Sequence, residues 1–238
     1  MITAGILLGL AVLLKFYPLL LLPVLAFDNR RLNLRVLASA MGVIMVGFAI
    51  TTLQWGTSFT NAVSGGIERG ATILSILNYL KEAGISPGAN DALLGINTLT
   101  VLVMTGALSL VVWLFRIHWL VGASTAMLLL ATVYKVGHQQ FLLTWLVLLA
   151  CLLVVGPRST RPVVFVAMPL VLGLSFYQYA FVQAWNEGVF WGEPGTFLRV
   201  TAALIFFLLS AITIIASVLM SIRQIHTSQP PEQSSKLE

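Results

Sequence analysis

Two short stretches of this chain set hydrogen-bond donors inside otherwise apolar sequence. The first is Lys15, Phe16, Tyr17 and Pro18, at the middle of an apolar run from Thr3 to Phe27. The second is Lys135, His138, Gln139 and Gln140, lying between two short apolar segments, 119–136 and 141–155. Lysine and glutamine offer several N–H donors each, histidine at least one and tyrosine an O–H, and no acid stands among them. Such a set suits phosphate oxygens and sugar hydroxyls, since charge-assisted donors to phosphate are the strong ones. Each stretch also has a structural reading. Lys15 pairs with a helix carbonyl or a neighbouring polar side chain, and the second stretch is a polar hairpin with a lysine at the membrane edge.

The elements that carry these residues follow from hydropathy. The run Thr3–Phe27 is long enough to cross a hydrocarbon core of about 30 Å at about 1.5 Å per residue, which puts Lys15 near its centre. A central Lys costs roughly 2.5–3.5 kcal/mol on insertion scales, and the leucines, isoleucines and valines around it, at about 0.3–0.6 kcal/mol each, outweigh that. On a helix Lys15 shares a stripe with Ala4, Leu8, Ala11, Pro18 and Leu22, a contact face that directs the ammonium into a bundle. Pro18 has no N–H for the carbonyl of Leu14, so a kink is expected beside the lysine. Gly5 and Gly9 form a small-residue pair suited to close helix packing.

Composition sets the class. Apolar residues make up 58% of the chain and charged residues 9%, with a mean hydropathy of +0.96, the profile of an integral membrane protein. The fold class expected is all-α, a polytopic membrane helix bundle. Seven apolar stretches are expected to be transmembrane helices: 3–27, 34–53, 93–115, 119–136, 141–155, 163–182 and 197–220. Arg30, Arg31 and Arg35, then Arg116 and His118, then Arg158 and Arg161, then Arg223 and Lys236 fall in alternate connections, which makes those cytoplasmic. Seven spans then put the N-terminus outside and the C-terminus inside. Residues 1–222 form the membrane domain, and the Ser, Gln, Pro and Glu rich tail, 223–238, reads as disordered and cytoplasmic.

The one long outward connection, 54–92, contains Ile73, Ile76, Leu77 and Leu80 on one helical face with Ser75, Asn78 and Glu82 opposite, the pattern of a short helix lying on the outer membrane surface. It is either a plain interfacial helix or a lid over a site open to lipid. In the last outward loop Trp185, Phe190 and Trp191 read as belt anchors, with stacking on an acceptor sugar as the alternative. The lone Cys151 excludes an internal disulfide framework, three scattered His give no zinc or haem spacing, and no P-loop, HExxH or dinucleotide fingerprint is present. The net charge of +5 is accounted for by the membrane, and no nucleic-acid partner is expected.

Gly9 to Pro23, with Lys15, Phe16, Tyr17 and Pro18 followed by leucines, resembles the Leu-Lys-x-Tyr-Pro helix of the GT-C superfamily of multi-spanning glycosyltransferases that use lipid-linked sugar donors. The resemblance is closest to glycosyltransferase family 87, the polyprenyl-phosphate-mannose-dependent alpha-mannosyltransferases, and fainter to the transferase adding the first mannose of GPI anchors. Lys135, Val136, His138, Gln139, Gln140, Phe141 and Trp145 resemble the later Lys-Val, Gln-aromatic segment of the same families, although Gln139 stands where relatives often have Pro. The two blocks cover about 40 residues; the rest is similar by hydropathy alone.

The resemblance implies a hexosyltransferase of the cell membrane that moves a sugar, mannose in the nearest relatives, from a polyprenyl-phosphate donor to an extracytoplasmic glycan or lipid acceptor. Its donor is a substrate, and no cofactor is implied. Lys15 and Lys135 are then the candidates to hold the phosphate left behind, with Tyr17, His138, Gln139 and Gln140 on phosphate or sugar hydroxyls. Lys15 is deep for a headgroup and would otherwise support a pocket carbonyl or meet a carboxylate of another segment. Relatives carry the catalytic Asp in a loop after an earlier helix, so the general base is expected upstream of Met1, in a missing or separately encoded N-terminal half. A transporter or lipid flippase, or a non-catalytic membrane subunit, would use the same residues without that chemistry.

Overall fold

The computed structural model describes residues 2–15, 17–28, 31–56, 58, 75–82, 87–135, 139–186 and 193–228. The described chain is helical apart from one two-residue ladder. In order it contains α1 (Ile2–Leu14), a 3₁₀ turn (Tyr17–Leu21), α2 (Leu22–Ala26), β1 (Phe27–Asp28), β2 (Arg31–Leu32), α3 (Leu34–Trp55), α4 (Ile76–Glu82), α5 (Pro87–Leu114), α6 (Trp119–Val133), α7 (Gln139–Val154), a 3₁₀ turn (Arg158–Thr160), α8 (Arg161–Asn186) and α9 (Glu193–Ser228).

The first apolar run does not form one helix. The amide of Lys15 makes the last bond of α1, to the Ala11 carbonyl at 2.9 Å. Tyr17 precedes Pro18 and is steered away from α geometry, and Pro18 has no N–H for Leu14, so the ladder stops there. The break goes further than the kink the sequence suggested. Gly5 of α1 lies against Val36 and Ser39, Gly9 against Ala40 and Val43, and Leu13 against Gly47, so the contact climbs α1 and α3 together. Helices in that register run parallel. The segment after Lys15 therefore comes back: the amide of Asn33 donates to the Ala26 carbonyl at 2.6 Å, and Phe27 pairs with Leu32 just before α3 begins. Ile2 and Leu34 lie at one end, and Lys15 stands at the tip of a helix-break-helix hairpin, about 17 Å or more along α3 from Val36.

Two consequences are measurable. Ile2, Leu34 and Trp55 are all exposed. With Cys151→Ser as background, single cysteines at 2 and 34 should react with an impermeant maleimide from one membrane face, and a cysteine at 55 from the other. Labelling of 2 together with 55 would return α1 to a full crossing. Secondly, a Cβ on Gly9 would sit 2.7 Å from the Ala40 carbonyl oxygen and 2.8 Å from Val43 Cβ, backbone and branched side chain that cannot swing aside. Gly9→Leu should lower stability by about 1–3 kcal/mol, the usual cost of overpacking, read by denaturant titration in micelles.

Local chemistry sets the remaining ends. Asn33 caps α3 by accepting from the Val36 amide at 3.3 Å, and Gly56 closes it at φ +56°, a conformation glycine adopts without strain. The core surrounds α6, in which every residue from Leu120 to Thr132 is buried. Its glycine, alanines and serine let neighbours approach closely: Gly122 touches Val112 of α5 and Val24 of α2. Around α6 stand α2, α5, α7 and α9, while α8 packs along α9 and α7.

Two expectations shift. Ser75, assigned to a polar outer face, is fully buried with its hydroxyl accepting from the Leu77 amide at 3.3 Å. Leu77 is buried too, and Tyr79 packs on Phe207 of α9 at 5.7 Å, so α4 is docked against α5, α6 and α9 by its apolar face. At the other end α9 continues through residues 223–228, which the sequence placed in the tail, because no glycine or proline interrupts it before Pro230. Residues 229–238 lie outside the described residues, as do most of the outward connection 57–74 and the side chains of the last outward loop.

Candidate functional site

The hairpin tip meets the first turns of α7. Tyr17, first residue of the returning arm, is half-buried, and its hydroxyl lies 3.2 Å from Thr144 Oγ1 on α7. Its ring meets Phe141 edge-on with centroids 4.9 Å apart, a geometry that aromatic quadrupoles favour. Phe141 and Trp145 are buried, at 6% and 1% exposure, so the first turns of α7 form a firm wall against which the tyrosine is held. Residues 127 positions apart in sequence thus share one contact.

Lys135 follows the C-terminus of α6 and is 5% exposed. Asn97, the only buried amide side chain among the described residues of α5, clasps it in place. The Asn97 carboxamide nitrogen donates to the Val133 carbonyl at 2.8 Å, and its oxygen accepts from the Lys135 amide at 2.7 Å. A single side chain therefore satisfies both backbone groups where α6 ends, which fixes the start of the Lys135 side chain relative to α5.

Lys15 behaves otherwise than expected. It is exposed rather than directed into the bundle, because the contact face of α1 is Gly5, Gly9 and Val12 and not the stripe through Ala4 and Ala11. Its charge sits just past the last turn of α1, where the helix dipole and the final carbonyls favour a cation by about 0.3–1 kcal/mol. Gln139 and Gln140 open α7 in their backbone, but their side chains lie outside the described residues, and so does all of His138. Among the described residues no group of three or more His, Cys, Asp or Glu is placed to hold a metal ion. The structure thus unites Tyr17 with the head of α7, ties Lys135 to α5, and leaves Lys15 at the rim of the hairpin.

Asn97 and Thr144 were not singled out from the sequence. Asn97 carried a usable signal, a lone amide within a membrane-length apolar segment, since such groups are kept only where a partner exists. Thr144 carried none, because a threonine in an apolar helix ordinarily bonds its own i−4 carbonyl.

The architecture defines a helical protein in which four helices, within 34–55, 92–114, 158–177 and 200–223, are long and apolar enough to cross a membrane. No protein-family model, curated protein or solved structure matches the chain.

Proposed function

We propose that this chain is the donor-binding membrane part of a GT-C type glycosyltransferase, which holds a polyprenyl-phosphate sugar and serves transfer of a hexose, mannose by resemblance, to an extracytoplasmic acceptor. The observation that supports the reading is the contact of Tyr17, from the first stretch that resembles the family, with Phe141 and Thr144 at the start of α7, beside the second. Lys135 holds the lipid phosphate as charge grows on it, Tyr17, His138, Gln139 and Gln140 serve phosphate and sugar hydroxyls, and Lys15 lies at the rim. In this reading the protein resides in the cell membrane with six crossings, α3 and α5 to α9, and the run 3–27 is re-entrant, entering and leaving from the cytoplasmic face. The basic connections keep the inward placement that positive charge favours, and only the side of the N-terminus changes.

Photocrosslinking tests this directly without requiring turnover. The full chain in vesicles is offered a diazirine-bearing polyprenyl phosphate, and the labelled peptides are expected to fall in 12–22 and 134–146. Labelling confined to other helices, or equal labelling by a neutral polyprenol, would sink the reading. A second reading, a flippase or transporter, gains support from the broken, re-entrant first run, a device that membrane transporters use around a midplane site. Transbilayer movement of a polyprenyl phosphate in the same vesicles separates the two.

A further inference from the structure

We propose that the groove between α3 and α5 holds one acyl chain of an anionic phospholipid whose phosphate lies over Arg35 and Arg116. The returning arm of the hairpin forms the floor of this groove, with Leu19 and Ala26 from the arm, Leu32 from β2, Leu37 from α3, and Leu102 and Gly106 from α5 along it. The cavity measures about 440 Å³. That volume is small for a helix about 10–12 Å across and suits a slender hydrocarbon chain. Leu19, Leu32 and Leu102 are 41%, 44% and 51% exposed, so the groove opens sideways rather than into the core. At Gly106 an added Cβ would meet nothing within 4 Å.

Charge selects the lipid. The groove ends at Leu32 and Leu37, around the first turn of α3, where Arg31 and the exposed Arg35 stand in sequence with Asp28 as the only nearby acid in that connection. Arg116, also exposed, follows α5 directly. If α3 crosses outward and α5 crosses back, the connection before α3 and the turn after α5 lie at one membrane face whichever face that is. The exposed Arg35 and Arg116 thus fall on the membrane face toward which this apolar groove runs, the arrangement that binds acidic headgroups between membrane helices. The site is separate from the contact of Tyr17 with α7, and it does not rest on the glycosyltransferase reading.

The test uses the full chain in nanodiscs of equal phosphatidylglycerol and phosphatidylcholine, followed by detergent delipidation and mass spectrometry of the lipid retained. Wild-type protein should keep phosphatidylglycerol over phosphatidylcholine by about fivefold or more, and Arg35→Gln and Arg116→Gln should each reduce that preference by up to about fivefold. Gly106→Leu, whose Cβ enters open space on the groove wall, should cut retention of both lipids about tenfold while leaving the thermal midpoint in detergent within a few degrees. Equal retention of the two lipids overturns the proposal, as does undiminished retention by Gly106→Leu. Displacement of phosphatidylglycerol by equimolar polyprenyl phosphate overturns it as well, by giving the groove to a different lipid.

Discussion

Lys135→Ala should weaken binding of polyprenyl phosphate by about ten- to a hundredfold, with little change in how much protein reaches the membrane. A hydrogen bond to a charged group is worth about 1.5–3 kcal/mol, and a donor facing a phosphate in a setting this enclosed belongs at the upper part of that range. Folding should suffer less, because a charged side chain on a residue only 5% exposed is costly to bury and its removal relieves that cost while it deletes contacts. Lys135→Arg keeps the charge but exchanges a compact ammonium for a wide planar fork, so it should restore only part of the affinity. Lys15→Ala, at an exposed position past the end of α1, should change affinity by no more than about threefold. The measurement is competition of a fluorescent polyprenyl phosphate in micelles. Should Lys15→Ala prove the more harmful of the two substitutions, the phosphate sits at the hairpin tip and the assignment to Lys135 is wrong.

Hydropathy marked α3 and α5 to α9, with α5 starting at Pro87 rather than 93 and α9 running on to Ser228 rather than 220, because a membrane-length apolar stretch has one stable backbone while its ends are set by local caps and breakers. The small-residue pair Gly5 and Gly9 was legible for the same reason: without side chains there, only a close neighbour fills the space, and α3 supplies it. Direction was not legible. An apolar run of sufficient length satisfies insertion whether it crosses once or turns back at Lys15, since both forms bury the same leucines, and only the register of α1 on α3 distinguishes them. The resemblance paired the two polar stretches, but nothing in their spacing named Tyr17 as the residue that meets α7, and nothing at all pointed to Thr144 as its partner. Ser75 was misplaced because a hydroxyl that bonds a nearby amide is no longer polar to its surroundings.

Asn97 touches no ligand in the proposed site and yet holds the start of Lys135. Asn97→Ala removes the acceptor of the Lys135 amide and the donor to the Val133 carbonyl together. Each backbone group stranded in a buried place costs about 1–3 kcal/mol, while side-chain bonds between membrane helices average nearer 0.6 kcal/mol, so a loss of about 2 kcal/mol is expected for the pair. Asn97→Asp retains the acceptor and loses the donor. If the clasp on Lys135 is what matters for ligand binding, Asn97→Asp should keep polyprenyl phosphate affinity within about threefold of wild type even though its stability falls at least as far as in Asn97→Ala, since a carboxylate oxygen then faces the Val133 carbonyl. Denaturant titration supplies the stability and the competition assay supplies the affinity, so the two effects are read apart. Equal loss of affinity in both variants would mean that the bond to Val133, and with it the end of α6, positions the site, and that the Lys135 amide is held by Asn97 only for the sake of the fold.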